Sequence, residues 1–218
     1  MHDGRPITRR EALPVIAPLS LIYPFTGRWL VQNSPANRVP SHGTTAFSTA
    51  HAIDFVPVDA RHRSATFTLG SLFHPEPPDR FIGFGLPLFA PASGRVVAVH
   101  DGEPDHDAFR GLPSVGYALT QPRRAAAGWP GLAGNRVVIE VEPGAVVALC
   151  HLRRESVTVV PGQVVTAGSP IGQCGNSGNS TEPHVHVQAM TDQDANRARA
   201  IPLEVPDGVP RNGDVVTA

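Results

Sequence analysis

The chain has 218 residues with 18 basic and 19 acidic side chains, a formal net charge of −1, so no overall field draws it to nucleic acid or to an anionic membrane. All the basic residues are arginines, and without a lysine the chain cannot use Schiff-base chemistry, a phosphate-loop lysine, or biotinyl or lipoyl attachment. The length suits one domain with appendages, and no stretch approaches the ~20 apolar residues needed to span a bilayer.

Residues 1–40 read as an irregular wrapping segment. Arg9 and Arg10 followed by LPVIAPLSLIYPF resemble an export leader only superficially, because Pro14, Pro18 and Pro24 interrupt the apolar run and no A-x-A-like site follows. A soluble chain without a clear export address is the expectation. The 23 Pro and 21 Gly chop the rest into short segments with little 3.6-residue periodicity, the signature of strands and turns. Strands are predicted at 28–32, 51–58, 87–92, 94–100, 135–142, 145–152, 161–167, 170–175 and 183–190, each bounded by turn residues. Residues 60–85 and 102–134, rich in Gly and Pro, read as long loops, the second a candidate wall of a substrate groove. The tail after residue 206 reads as irregular.

Chemistry concentrates between residues 145 and 188. Strand alternation through VVALCHL sets Val147, Leu149 and His151 on one face and Cys150 on the other. The V-x-x-G-x-x-V-x-x-G-x-x-I-G-x-x-G run from Val159 to Gly175 predicts tight reversals at Gly162 and Gly168. Then GNSGNSTEPHVHVQ places His184 and His186 two apart on a strand, side by side on one face, with Val185 and Val187 on the other. Cys150 and Cys174 match no zinc-ribbon or C-x-x-C spacing, so buried free thiols are expected, with one disulfide as the alternative.

The combination G-N-S-G-N-S-T-x-P-H-x-H, preceded by a strand ending in His and by P-G-Q-x-V-x-A-G-x-x-I-G, resembles the catalytic half of the lysostaphin and LytM type of zinc metallopeptidases. GLPLFAPASGRVVAV resembles their upstream strand pair, and HAIDF stands where they carry H-x-G-x-D-F. The resemblance spans roughly residues 40–190. It implies one zinc ion held by Asp54, by His186 and by a further His, with His151 and His184 as catalytic groups beside the metal. Zn²⁺ accepts imidazole nitrogen and carboxylate oxygen and keeps a fourth position for water in catalytic sites. On this reading His184 is the general base, and His151 stabilises the oxyanion or shares the proton work.

The first ligand departs from the family: Ala50 stands where its His would be. His42 and His51 compete for the vacancy. On a regular strand His51, three residues before Asp54, faces the opposite side, whereas Gly43 lets the VPSHGTTAF stretch bend inward. The resemblance of SHGT to relatives that carry an aromatic residue in place of His51 also favours His42.

Asp101, Asp105, Asp107, His100 and His106 could form a second, adventitious metal site, and Arg153 and Arg154 could take a substrate carboxylate, although surface roles are commoner for all of them. The fold class expected is all-β: a mainly antiparallel sandwich or barrel hybrid of two related halves over residues 41–206, with long loops forming a groove. The function implied is a zinc-dependent endopeptidase acting on peptidoglycan cross-links or Gly-rich peptides. An inactive cell-wall or partner-binding module of the same fold is the alternative, and a phosphocarrier domain a distant third.

Overall fold

The computed structural model describes residues 16–218; Arg9, Arg10 and Pro14 of the leader-like stretch, and His2, lie outside the described residues. In chain order the elements are β1 (Leu19–Ser20), β2 (Arg28–Gln32), β3 (Ile53–Pro57), β4 (Pro87–Phe89), β5 (Gly94–His100), α1 (Gly111–Leu119), α2 (Gln121–Ala125), α3 (Gly128–Ala133), β6 (Asn135–Glu142), β7 (Ala145–Leu152), β8 (Val164–Val165), β9 (Pro170–Gln173), β10 (Val185–Met190), β11 (Ala200–Ile201), β12 (Leu203–Glu204) and β13 (Val215–Thr217).

Among the described residues a nine-stranded sheet runs β13-β2-β3-β10-β7-β6-β5-β8, with β11 added to β10, and two two-stranded sheets pair β1 with β12 and β4 with β9. Every pairing except β1 with β12 is antiparallel. The all-β antiparallel class read from the sequence is the observed one.

The sheet is apolar on both faces at its centre, which is why β7 is buried along its whole length. One face carries Trp29, Val31, Ile53, Phe55, Val137, Ile139, Val147, Leu149, Val185 and Val187 into the main core, where Phe25 stacks on Trp29 with ring centroids 4.2 Å apart. The other face carries Val138, Val146, Ala148, Cys150 and Met190 against Trp129 and Ala133 of α3. Cys150 and Cys174 thus belong to different apolar clusters, and both are free thiols. Burial pushes the Cys150 thiol up to about 12, and that of Cys174 is raised as well.

The expected loop at 102–134 is a correction, because residues 111–133 fold into three short helices. Their sequence hides this for a physical reason. Only α3 buries side chains; Leu112, Val115 and Leu119 of α1 do recur at helical spacing but stay exposed, and α2 and α3 span only five and six residues, too few for a sustained period among the surrounding Gly and Pro. The 60–85 excursion contains short 3-10 turns at Gly70–Leu72 and Pro78–Arg80, and the tail beyond 206 ends in β13. No helix among the described residues is long and apolar enough to cross a membrane.

The 60–85 excursion is tied to the start of α1 by a buried ion pair. Glu76 accepts from Arg110 Nε at 2.8 Å and Nη2 at 2.9 Å and from Ser71 Oγ at 2.9 Å, while the guanidinium stacks over Phe81. Burial raises the Glu76 carboxyl, but the bonds from Arg110 and Ser71 and the nearby Arg80 charge outweigh it, so its pKa lies below the ordinary 4.5. A depressed folded-state pKa contributes stability above the unfolded value and loses it as pH falls through the folded one. Glu76→Gln is therefore expected to lower the unfolding free energy by about 1–3 kcal/mol at pH 7, a gap that closes as the pH falls through the folded-state pKa. Urea unfolding of both proteins across pH 3–7 measures it; a constant gap would contradict the ion pair.

Candidate metal centre

Asp54 and His186 reach the same place because they are cross-strand neighbours. In the β3·β10 register His186 opposes Asp54, and across β10·β7 it opposes Cys150. Alternation sends Ile53 and Phe55 into the main core and leaves Asp54 and Val56 on the other face, lining a cleft. The same rule sends Val185 and Val187 inward and sets His184, His186 and Gln188 along the cleft side, as the spacing of the two histidines led one to expect.

His186 Nδ1 lies 2.8 Å from Asp54 Oδ1, His42 Nε2 3.2 Å from Asp54 Oδ2, and His184 Nε2 3.8 Å from Asp54 Oδ1. One ligand atom from each of His42, Asp54 and His186 falls within 4.8 Å of the others, the one such grouping among the described residues. Asn33, at the end of β2 with a left-handed φ of 48°, donates its Nδ2 to Asp54 Oδ2 at 2.7 Å.

Of the two histidines competing for the vacancy at position 50, His42 is the one against Asp54. The Ser41 amide bonds the Ala50 carbonyl at 2.9 Å and closes the loop, and Gly43 adopts φ 74°. His51 ends a 3-10 turn over Ala46–His51 instead of starting a strand, and it does not line the cleft.

His151 corrects a strand-alternation argument. Alternation places it with Val147 and Leu149, yet its φ is +64° and the β6·β7 register slips at this point, with Arg136 opposite Cys150 and Asn135 opposite Leu152. The extra residue is a bulge. It returns Leu152 to the main core and turns His151 into the cleft, its ring 4.7 Å from that of His184 and 5.8 Å from that of His186.

The Gly-, Asn- and Ser-rich loop before His184 supplies carbonyls to the imidazoles. His151 Nδ1 bonds the Ser177 carbonyl at 2.9 Å, and His184 Nδ1 bonds the Glu182 carbonyl at 2.8 Å, with Ser180 Oγ 3.0 Å away. A carbonyl only accepts, so each Nδ1 carries the hydrogen and each Nε2 is left as an acceptor.

Burial and the neighbouring His184 and His186 hold the His151 pKa well below the usual imidazole value, so this ring is neutral at pH 7. Burial alone would raise Asp54, but His42, His186 and His184 around it hold it well below the carboxylate range. Burial opposes charge on His42, and the Asp54 carboxylate more than offsets this, raising its pKa.

The cleft has a volume of about 620 Å³. Tyr117, Arg124 and Trp129 of the helical insertion form one wall, and Asn33, Thr44 and Phe47 contribute to the lining as well. Arg124 lies over the Tyr117 ring at 3.5 Å and donates Nε to Asn179 Oδ1 at 2.6 Å. The groove wall expected at 102–134 is therefore present, but helical.

The candidates outside the cleft have other partners. Asp105 accepts the backbone amides of Arg154 and Asn176, and Asp101 those of Ser156 and Val157, so both carboxylates clamp loops. Arg153 bonds Gln173 and Arg154 pairs with Glu155. Sequence reasoning missed Asn33, Ser41 and Gln188; for Gln188 the signal was there, since alternation continued two residues past His186 sets it on the same face.

Residues 117–198 match the model for Peptidase family M23. That segment contains His151, His184 and His186, while His42 and Asp54 precede it. The glycyl-glycine endopeptidase ALE-1 of Staphylococcus capitis is 30% identical over 97 residues, covering 44% of this chain and 27% of that protein. Lysostaphin of Staphylococcus simulans is 28% identical over 97 residues, 44% of this chain and 20% of that protein. The chain thus spans roughly a quarter of the length of these relatives. Among solved structures, the catalytic domain of lysostaphin from Staphylococcus simulans has 18% identity and a TM-score of 0.40, covering 80% of this chain and 88% of that one.

These matches are to peptidases. More narrowly, residues 117–198 are similar to Peptidase family M23, the segment that holds His151, His184 and His186.

Proposed function

We propose that this chain is a zinc-dependent endopeptidase that hydrolyses peptide bonds in peptidoglycan cross-links or in glycine-rich peptides. The observation that carries the reading is the convergence of His42, Asp54 and His186, with ligand atoms within 4.8 Å of one another. Two imidazoles and a carboxylate are a donor set suited to Zn²⁺ in a catalytic site, where a fourth position stays open. A bound zinc would lower the pKa of water to about 7 and polarise the scissile carbonyl.

The remaining groups handle protons. His184, held by the Glu182 carbonyl, presents its Nε2 lone pair to the cleft as the general base, taking a proton from the attacking water and returning it to the leaving amine. His151 presents Nε2 in the same sense, which supports a share of the proton work over a donor role; it gains a hydrogen to offer an oxyanion only after taking one up. The alternative of an inactive binding module draws on Ala50 and on the lack of a clear export address; His42 beside Asp54 supports the enzyme reading over it.

The test is metal content and cleavage on one preparation. Purified protein is expected to hold one zinc per chain, to release new amino termini from a pentaglycine peptide or purified peptidoglycan, to stop when chelated and to recover on adding zinc. Protein that takes up no zinc would sink the metal reading; zinc-loaded protein that cleaves neither substrate would sink the assignment of substrate class.

A further inference from the structure

The hydrogen bonds behind two of the metal-facing histidines have a fixed direction, and both lead to one short turn. Gln188 is fully buried. Its Nε2 lies 3.2 Å from the Phe47 carbonyl and 2.8 Å from Met190 Sδ, and its Oε1 lies 2.9 Å from His186 Nε2. The Phe47 carbonyl can only accept, so the amide must turn its NH₂ toward it and its oxygen toward His186. His186 Nε2 then carries the hydrogen, and Nδ1 keeps its lone pair, 2.8 Å from Asp54 Oδ1.

The same logic applies to His42. Ser41 Oγ lies 3.1 Å from the Thr49 carbonyl and 3.0 Å from His42 Nδ1. The single hydroxyl hydrogen goes to the carbonyl, so Oγ accepts from His42 Nδ1–H, and Nε2 keeps its lone pair, 3.2 Å from Asp54 Oδ2. Two lone pairs and a carboxylate then converge with no hydrogen among them, an arrangement that a cation satisfies.

Phe47 and Thr49 both lie in the Ala46–His51 turn, where Phe47 and Ser48 hold left-handed φ values of 54° and 61°. Such a backbone is costly for residues with a side chain and persists only when its surroundings hold it. Here Ser48 Oγ donates to the Ala198 carbonyl at 2.8 Å, and Ser48 is buried.

We propose that Gln188 and Ser41 are positioning residues that pass the acceptor character of the Phe47 and Thr49 carbonyls to His186 and His42, so that both imidazoles face a zinc ion as neutral ligands in the correct tautomer. This rests on the zinc reading above and adds the groups that make it directional. Carbonyls and amides of this kind behind a metal ligand fix its ring and raise its basicity.

Zinc affinity, measured by competition with a chromophoric chelator, tests it. Gln188→Met keeps the volume and removes the acceptor, and Ser41→Ala removes the hydroxyl; each is expected to weaken zinc binding roughly 10–100-fold. Gln188→Glu, which keeps an acceptor beside His186 Nε2, is expected to bind more tightly than Gln188→Met. Thermal unfolding of the metal-free proteins identifies any variant that fails to fold. In the zinc-loaded wild type, ¹⁵N chemical shifts are expected to place the ring hydrogens on His186 Nε2 and His42 Nδ1. Folded variants that match wild-type affinity, or a hydrogen on His186 Nδ1, would overturn the relay alone; a wild type that binds no zinc would overturn the reading beneath it.

Discussion

Replacing His184 with alanine is expected to lower peptide cleavage by about 10²- to 10⁴-fold while leaving zinc content at the wild-type level. The two halves of that result come from different contacts. His184 Nε2 is 3.8 Å from Asp54 Oδ1, farther than His42 and His186 are from the same carboxylate, and its Nδ1 is committed to the Glu182 carbonyl. It therefore stands beside the proposed ligand set with its Nε2 free to accept a proton, which is the basis of the expected split. His186→Ala and Asp54→Ala are expected to lose activity together with the metal. Elemental analysis and cleavage rates on the same samples separate the cases; zinc lost from His184→Ala, or a wild-type rate in that variant, would reject the assigned role.

The second large effect belongs to a glycine. Gly178 holds φ +73°, and a Cβ there would sit 2.5 Å from the Gly134 nitrogen and 2.6 Å from the Leu132 carbonyl oxygen. Gly134, which ends α3 at φ +61°, would in turn push a Cβ into Ser177. The two backbones touch with no room for a side chain on either, and the Leu132 carbonyl also accepts from the Asn179 amide at 2.8 Å. Gly178→Ala is expected to cost about 2–5 kcal/mol, combining a left-handed backbone with overpacking. Gly144→Ala is the control, with φ +80° but open space around it, so only the backbone cost of roughly 1–2 kcal/mol applies. Denaturant unfolding of both measures the difference, and equal costs would show that the contact carries nothing. Because Ser177 holds His151 through its carbonyl, surviving Gly178→Ala protein is also expected to cleave more slowly.

Much of the frame was legible because it follows from local rules. Strands 28–32, 94–100, 135–142 and 145–152 agree with the expectations residue for residue, since alternation and flanking turn residues bound each of them. The pairing of His184 with His186 on one face follows from a period of two. Other features needed information that one window of sequence does not hold. The turn of His151 into the cleft depends on a bulge against β6, and the helices of the insertion on contacts of α3 with the sheet. Asn33 meets Asp54 only because β2 and β3 are neighbours in the sheet. The sequence favours His42 over His51 through the strand facing of His51, the glycine beside His42 and the resemblance of SHGT, whereas the reason His51 stays away is a turn that replaces the strand assumed there.

The placement of Asp54 and His186 on adjacent inner strands ties occupancy to assembly. The two residues are 132 positions apart in the chain, so an unfolded polypeptide presents no preformed chelate. Any ion gripped there is captured only once the long-range strands have zipped, and its affinity enters the folding equilibrium almost undiluted. Melting temperature is then expected to rise with free metal.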